Sequence, residues 1–382
     1  SLDNTIDGGL TFEGVNDIGD MILHCSKGGV ICGEELLKIA ETLRAARRIR
    51  RVIEDPFLRP STTALLSDLS TLPELERALE LGLEEGGRVA DRASKKLSNL
   101  RRQAHDLRLE RRDMLNDLLR KNTTILQDTI ISERYGRPVI ALKLGAGDQI
   151  SGVVHDTSAS GSTIFLEPQF IIPLGNKIVE LQTQILSEEK RLLAAWSQLV
   201  GKDFSSIKHL CNVLLELELG LARARYGNWL GGVLPTMTTN DDATFSIHDF
   251  RHPLLVWQHH HEGNRAVSPV SFEVSSTLRV VAITGPNTGG KTIALKSFGL
   301  AILMARCGML LPCCGKPSLP WCNLVLADIG DEQSLEQNLS TFSGHVIRIG
   351  RILDAIARYP GPAVVLLDEV GAGTDPTEGS AI

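Results

Sequence analysis

Aromatic side chains are scarce: Phe, Tyr and Trp make up 4% of the 382 residues. Hydrophobic residues still reach 42%, so Leu, Ile, Val and Ala must fill the cores. No apolar run approaches the ~18–20 residues of a membrane-spanning helix, and no membrane partner is expected. The first residues, Ser-Leu-Asp-Asn-Thr-Ile-Asp, are polar and acidic and do not read as a secretory signal. Seven cysteines (Cys25, Cys32, Cys211, Cys307, Cys313, Cys314, Cys322) show no paired C-x-x-C spacing. No His stands at finger spacing from Cys313, Cys314 and Cys322, so zinc is not expected. Reduced thiols fit a cytoplasmic protein, bacterial or, in a plant or alga, organellar. Neither charge dominates: 40 Lys and Arg against 46 Asp and Glu give a net charge of −6. That argues against a protein coating nucleic acid along its whole length. At this length two or three domains are expected.

What is present is a phosphate loop. Gly285, Pro286, Asn287, Thr288, Gly289, Gly290, Lys291 and Thr292 spell G-x-x-x-x-G-K-[ST]. Residues 278–284 form a β-branched apolar run that predicts a buried strand before the loop. Residues 293–305 have helical periodicity after it. Strand, glycine loop and helix are the context this motif needs. The glycines let backbone N–H groups converge on phosphate oxygens, and the helix N-terminus adds partial positive charge. Lys291 is placed to reach the β- and γ-phosphates of ATP, and the Thr292 hydroxyl to ligate Mg²⁺.

A second element completes the pattern. Residues 363–367 are an apolar strand ending in Asp368 and Glu369. An acid at a strand's carboxyl end beside a phosphate loop holds Mg²⁺. The adjacent Glu369 is the candidate general base that polarises a water toward the γ-phosphate. The pair of acids predicts a hydrolysing ATPase rather than a kinase or a switch GTPase.

Residues 1–92 predict a helical core domain. Residues 93–230 predict a lever arm with a β-rich insertion at about 134–172. On the first long helix Leu97, Leu100, Ala104, Leu107, Arg111, Met114 and Leu118 alternate spacings of three and four, a heptad seam with one polar interruption. On the second, Ile178, Leu181, Ile185, Glu188, Leu192, Ala195 and Leu199 repeat it. Between them, 137–143 and 149–155 around Gly145-Ala-Gly-Asp148 predict a hairpin, and 163–166 a further strand. The layout is that of an antiparallel coiled-coil arm with a β-rich tip, or of an ordinary helical bundle with a surface hairpin. Two basic groups accompany it: Arg44, Arg47, Arg48, Arg50 and Arg51, and a stripe from Lys95 to Lys121 that includes Arg101, Arg102, Arg108, Arg111 and Arg112. Each reads either as a solvated helix face or as a phosphate-backbone contact. His155-Asp156 near Ser158 and Ser160 lacks a nucleophile elbow or oxyanion loop and reads as a turn. Residues 231–382 form the nucleotide domain. Ser1 is not an initiator Met, and Ile382 follows Asp368 by only 14 residues, so a longer protein is expected.

With these motifs in view the chain resembles the MutS family of ABC-type ATPases. The carriers are residues 284–292, Asp328-Ile-Gly-Asp-Glu-Gln-Ser334, Leu339-Ser-Thr-Phe-Ser-Gly344 and 367–379, with Phe250-Arg-His-Pro-Leu254 similar to the family's entry into the ATPase domain. Asp-Ile-Gly-Asp-Glu-Gln and His155-Asp-Thr-Ser-Ala-Ser-Gly161 resemble the second paralogue branch, MutS-II. The resemblance implies an α/β ABC-type P-loop ATPase domain at the C-terminal end. An all-α core with a long antiparallel coiled-coil arm carrying a small β-rich insertion would precede it. It implies that Gln333 senses γ-phosphate and Mg²⁺, that His252 belongs to the nucleotide site, and that Asp375 lies on a loop crossing a dimer interface. Ser340 would present a helix N-terminus to a partner subunit's nucleotide, stabilising charge on the γ-phosphate, unless it is a plain helix cap. A homodimer binding ATP and Mg²⁺ at composite sites would then act as a clamp on branched or mismatched DNA, suppressing recombination, or on stalled ribosomes through rRNA. The alternative is a nucleotide-binding coiled-coil scaffold without significant hydrolysis. The family's switch His and its Smr nuclease domain would lie beyond Ile382, so no endonuclease residue is expected in this chain.

Overall fold

The computed structural model describes residues 9–53, 55, 57, 59–66, 69–239, 244–263, 266–285, 290–329 and 341–368. The chain divides into two compact units at Leu215/Glu216. It is a mixed α/β protein with several small sheets.

In the unit Asp3–Leu215, helices α1 (Gly19–Ser26), α2 (Gly33–Ile53), α3 (Pro60–Leu66) and α4 (Pro73–Gly82) come first. Helix α2 carries Glu34 and Glu35 in its first turn and Arg50 and Arg51 in its last, which complements the helix dipole. Leu36, Ile39, Leu43, Ala46, Ile49 and Ile53 are buried along one face, the 3–4 spacing that a core-facing helix needs. Four of the five arginines of this helix make internal contacts, and Arg51 is exposed. Arg47 pairs with buried Glu76 of α4 at 2.6 Å and Arg44 with Glu80 at 2.5 Å. Arg48 and Arg50 donate to the carbonyls of Glu13 and Leu69.

Two long helices follow, α5 (Lys95–Lys121) and α6 (Ile172–Lys202), packed on each other. Ser94 caps α5 by accepting the Leu97 amide. Leu100, Ala104 and Leu181, flanked by Leu107 and Ile185, make the shared apolar cluster. The seam departs from the expected heptads toward the far ends. On α5 Leu115 and Leu119 are buried rather than Met114 and Leu118; on α6 Trp196 and Val200 replace Ala195 and Leu199. A helix of 3.6 residues per turn drifts away from a 3.5-residue repeat unless it supercoils. New neighbours take over where it drifts. Leu115 and Leu119 join the core of the small sheet. Trp196 lies against α4, where a Cβ on Gly82 would meet its ring at 2.2 Å.

Glu188 interrupts the apolar series on α6 and is buried. Ser94 Oγ donates to it at 2.9 Å, Arg191 at 2.8 and 3.1 Å, and Lys96 stands at 3.3 Å. These donors, Arg191 foremost, hold its carboxyl at about 2, below the usual 4.5. Arg191 and Lys96 are themselves largely exposed, so solvent screens the charges and hydrogen bonding carries most of the effect. Glu188→Gln is expected to cost about 1.5–3 kcal/mol at neutral pH. A depressed folded-state value stabilises above the unfolded one and is lost as pH falls through the window from 4.5 toward 2. Urea midpoints of wild type and variant should therefore converge across that window. A gap that stays constant with pH would refute the assignment.

Between α5 and α6 lies a four-stranded antiparallel sheet of β1 (Ser132–Arg134), β2 (Arg137–Lys143), β3 (Gly152–Thr157) and β4 (Thr163–Pro168), in the order β1-β2-β4-β3. The expected β2–β3 hairpin does not form, because β4 stands between them. Val139–Leu142 of β2 are buried on both faces, as befits a strand with partners on either side. Strand β3 is mostly exposed and bulged between Val154 and Asp156, the marks of an edge.

Helix α7 (Phe204–Trp229) leads into the unit of Glu216–Ile382. There β5 (Thr236–Thr238), β6 (Phe245–Phe250), β7 (Val270–Val274) and β8 (Cys314–Pro320) form a sheet in the order β5-β8-β6-β7, with helix α8 (Pro253–Glu262) between β6 and β7 in sequence. Helix α9 (Lys291–Arg306) and helix α10 (Thr341–Arg358) pack beside a parallel pair, β9 (Leu324–Asp328) and β10 (Ala363–Leu367). The core joins Phe245, Ile247 and Phe250 to Ala301, Ile302 and Leu319. The Phe245 and Phe298 rings pack tilted, with centroids 4.3 Å apart. Helix α9 approaches β10 so closely that a Cβ on Gly299 would meet Leu366 at 2.4 Å.

The expected buried strand at 278–284 is not found. The segment joins no ladder, and Val280 is 82% exposed. A cavity of about 250 Å³ lined by Val281, Ile283, Leu295, Phe298 and Val365 separates it from β10. Apolar, β-branched composition supplies the surface for burial, but burial requires ladder partners, and among the described residues none pairs with it.

Candidate nucleotide site

Strands β9 and β10 run parallel in the register Leu367 opposite Asp328, which brings two acids to one end of the pair. The Asp368 amide donates to the Asp328 carbonyl at 2.9 Å. Helix α9 starts at Lys291 directly after Gly290, whose backbone is left-handed (φ 78°, ψ 19°). A side chain there would be strained, whereas glycine adopts the conformation freely. Lys291 Nζ donates to the Gly285 carbonyl at 2.7 Å, which ties the start of α9 to the end of the segment 278–285. Arg279, Ile283, Lys291, Leu295, Leu367 and Asp368 line one cavity of about 630 Å³.

This donor set suits a magnesium-bound nucleotide. It has a left-handed glycine at a helix start, an ammonium bonded to the Gly285 carbonyl, a hydroxyl at Thr292 in the first turn of α9, and an acid at a strand's carboxyl end. The structure brings Gly285, Gly290, Lys291, Thr292 and Asp368 to one region of this unit. Pro286, Asn287, Thr288, Gly289, Gln333, Ser340, Glu369 and Asp375 lie outside the described residues. His252 stands just before α8 and is not among the residues lining that cavity. Burial, and then the nearby Lys296 charge, push its imidazole below the usual value. Its Nδ1 is buried without a hydrogen-bond partner among the described residues.

One group at this end was not anticipated. Asp328 is buried, and so is His345 of α10. His345 Nδ1 and Asp328 Oδ2 are 2.7 Å apart, and Arg348 Nε donates to Asp328 Oδ1. Asp328 thus faces two ways. Its carbonyl holds the Asp368 amide, and its carboxylate anchors α10. The available signal was an acid closing a second apolar strand, residues 324–327.

Residues 281–382 match the family model of MutS domain V. The chain is also 43% identical to the endonuclease MutS2 of Synechocystis over 398 residues, covering 100% of this chain and 48% of that protein. The chain belongs to the MutS family. Its similarity is to the MutS2 branch: the endonucleases MutS2 of Symbiobacterium thermophilum and Clostridium perfringens are each 38% identical over 98% of this chain. This MutS-family chain spans a little less than half the length of these relatives. Lys291, Thr292, Asp328 and Asp368 fall inside the match to domain V, and His252 precedes it. Among the described residues no helix is long and apolar enough to cross a membrane. All seven cysteines are free thiols, and burial pushes Cys313 up to about 11.

Proposed function

We propose that this chain carries the ATP-hydrolysing part of a homodimeric nucleic-acid clamp. The observation that carries the reading is that Lys291, at the start of α9 behind a left-handed glycine, and Asp368, at the end of β10, line one cavity. When bound, Mg²⁺ held by Thr292 and Asp368 would supply positive charge that neutralises the phosphates of ATP. Lys291 is assigned to the β- and γ-phosphates, Thr292 and Asp368 to the metal, and Glu369 to the attacking water. Gln333 is assigned to sensing the γ-phosphate. Ser340 and Asp375 are assigned to the partner subunit's nucleotide, and His252 to the edge of the nucleotide site. Helices α5 and α6 with their sheet are read as the coiled-coil arm, residues 93–230, between a helical core, 1–92, and the ATPase domain, 231–382. Paired arms would close around branched or mismatched DNA, or around a stalled ribosome. The names of the relatives, endonucleases MutS2, support DNA as the target; any nuclease activity is assigned to sequence outside this chain.

Mixing half-sites tests the composite arrangement. Lys291→Ala and Ser340→Ala should each be inactive in hydrolysis as homodimers. Equimolar mixing should restore roughly a quarter of wild-type activity, because half the dimers then hold one intact site of two. Mixtures no more active than either variant alone would mean that each subunit hydrolyses ATP by itself or not at all.

A further inference from the structure

Asp328 serves α10 with its side chain and β10 with its main chain. His345 Nδ1 lies 2.7 Å from Asp328 Oδ2, and Arg348 Nε donates to Oδ1. A carboxylate only accepts, so the His345 ring carries a proton on Nδ1 and donates it. The carbonyl of the same residue accepts the Asp368 amide at 2.9 Å. Apolar packing does little to hold α10. Among its described side chains only His345 and Ile352 are buried, while Val346, Ile347 and Leu353 are exposed. A helix with so little apolar surface covered takes its position from its polar bonds, and His345 and Arg348 both lie in its second turn.

Residues three apart share one face of a helix, so His345 and Arg348 grip both oxygens of one carboxylate from the same side. Hydrogen bonds fix direction as well as distance, and two of them resist both rotation of α10 about its axis and sliding along it. Thr341, which opens α10, is one turn from His345. A tilt at Asp328 is therefore carried to the helix N-terminus. Under the clamp reading that end faces the γ-phosphate of the partner subunit's ATP, while Lys291 and Asp368 serve this subunit's own. Asp328 thus joins two elements that belong to different sites. Its two tasks are separable, because the Asp368 amide is held by a main-chain carbonyl that no side-chain substitution removes.

We infer that Asp328, His345 and Arg348 are positioning residues that align α10 for the partner subunit's nucleotide, so that their loss is felt in trans and not at the site of their own Lys291 and Asp368. The inference rests on the composite-site reading and adds the residues that align it. In the full-length protein, His345→Ala should lower kcat for ATP hydrolysis about tenfold, short of the ~10²-fold that a misplacement of about 1 Å can cost, with KM within about twofold of wild type. His345→Asn, whose amide donates from nearly the Nδ1 position, should recover most of the rate. Arg348 is half-buried, and Arg348→Gln should behave like His345→Ala; it takes that variant's place if His345→Ala melts below the assay temperature. Mixing decides the direction. Equimolar His345→Ala and Lys291→Ala should hydrolyse at about a quarter of the wild-type rate, since half the dimers then pair an intact Lys291 with an intact α10 of the other chain. Action in cis would leave the mixture at about a twentieth, below His345→Ala alone, and would overturn the inference. So would a His345→Asn variant as slow as the alanine one, or a KM that rises with kcat unchanged. The mixture of Lys291→Ala with Ser340→Ala is the control. Its recovery without recovery of the His345→Ala mixture removes the positioning role and leaves the composite site standing. If neither mixture recovers, the composite-site reading falls and the positioning role in trans falls with it.

Discussion

Glu369→Gln is expected to retain ATP and to lower its hydrolysis by about 10²–10⁴-fold, the contribution of a positioned general base. The neighbouring Asp368 lies at the end of β10, with its amide held by the Asp328 carbonyl at 2.9 Å. Asp368 and Lys291 line the same cavity. Glutamine keeps the size and polarity of the side chain but cannot accept a proton at neutral pH, so binding and chemistry should separate. Single-turnover hydrolysis at the wild-type rate would exclude Glu369 as the base. The same variant, in the full-length protein with ATP, also identifies the target. ATP-dependent co-sedimentation with ribosomes alone points to an rRNA contact, and with four-way DNA junctions alone to recombination control. Retention on neither supports a nucleotide-binding scaffold instead.

Asp328→Ala is expected to cost about 3–5 kcal/mol of folding stability, the range for removing one partner of a buried ion pair. The side chains of Asp328 and His345 are 4% and 8% exposed, so little water reaches the groups left behind. Removing the carboxylate takes the 2.7 Å partner from the His345 ring nitrogen and one acceptor from Arg348. Asp328→Asn should cost less, because an amide oxygen still accepts one of the two bonds. Chemical denaturation of both variants measures the difference, and a loss below about 0.5 kcal/mol for the alanine variant would show that water replaces the carboxylate. Helix α10 begins at Thr341, immediately after Ser340. If Ser340 acts on a partner's nucleotide, Asp328→Asn should slow hydrolysis while leaving ATP affinity near wild type. A parallel loss of affinity would place the effect in Asp368 instead.

Local features of this chain were legible because they depend on neighbours in sequence. The left-handed Gly290 before a helix, Lys291 in its first turn and an acid closing the apolar strand 363–367 follow from short-range geometry and side-chain chemistry. Helices α5 and α6 followed from apolar periodicity. Features that depend on distant partners were not legible. Nothing local to 137–143 states that β4 rather than β3 will be its neighbour; that follows from which strands must be covered on both edges. The run 278–284 has a strand's composition without a ladder in this structure.

The sequence by itself determined the phosphate-loop and acidic motifs, the long amphipathic helices and the family, since each is written in residues close along the chain. Only the tertiary structure decided that Arg44, Arg47, Arg48 and Arg50 are tied into the helical unit while Arg111 makes no ion pair among the described residues. It also decided that Asp328 links the end of β10 to α10. The reason is physical: a charge's meaning lies in its partner, and the partners of Arg47, Asp328 and Arg137 stand 29, 17 and 30 or more residues away, at positions that folding alone brings within hydrogen-bonding reach.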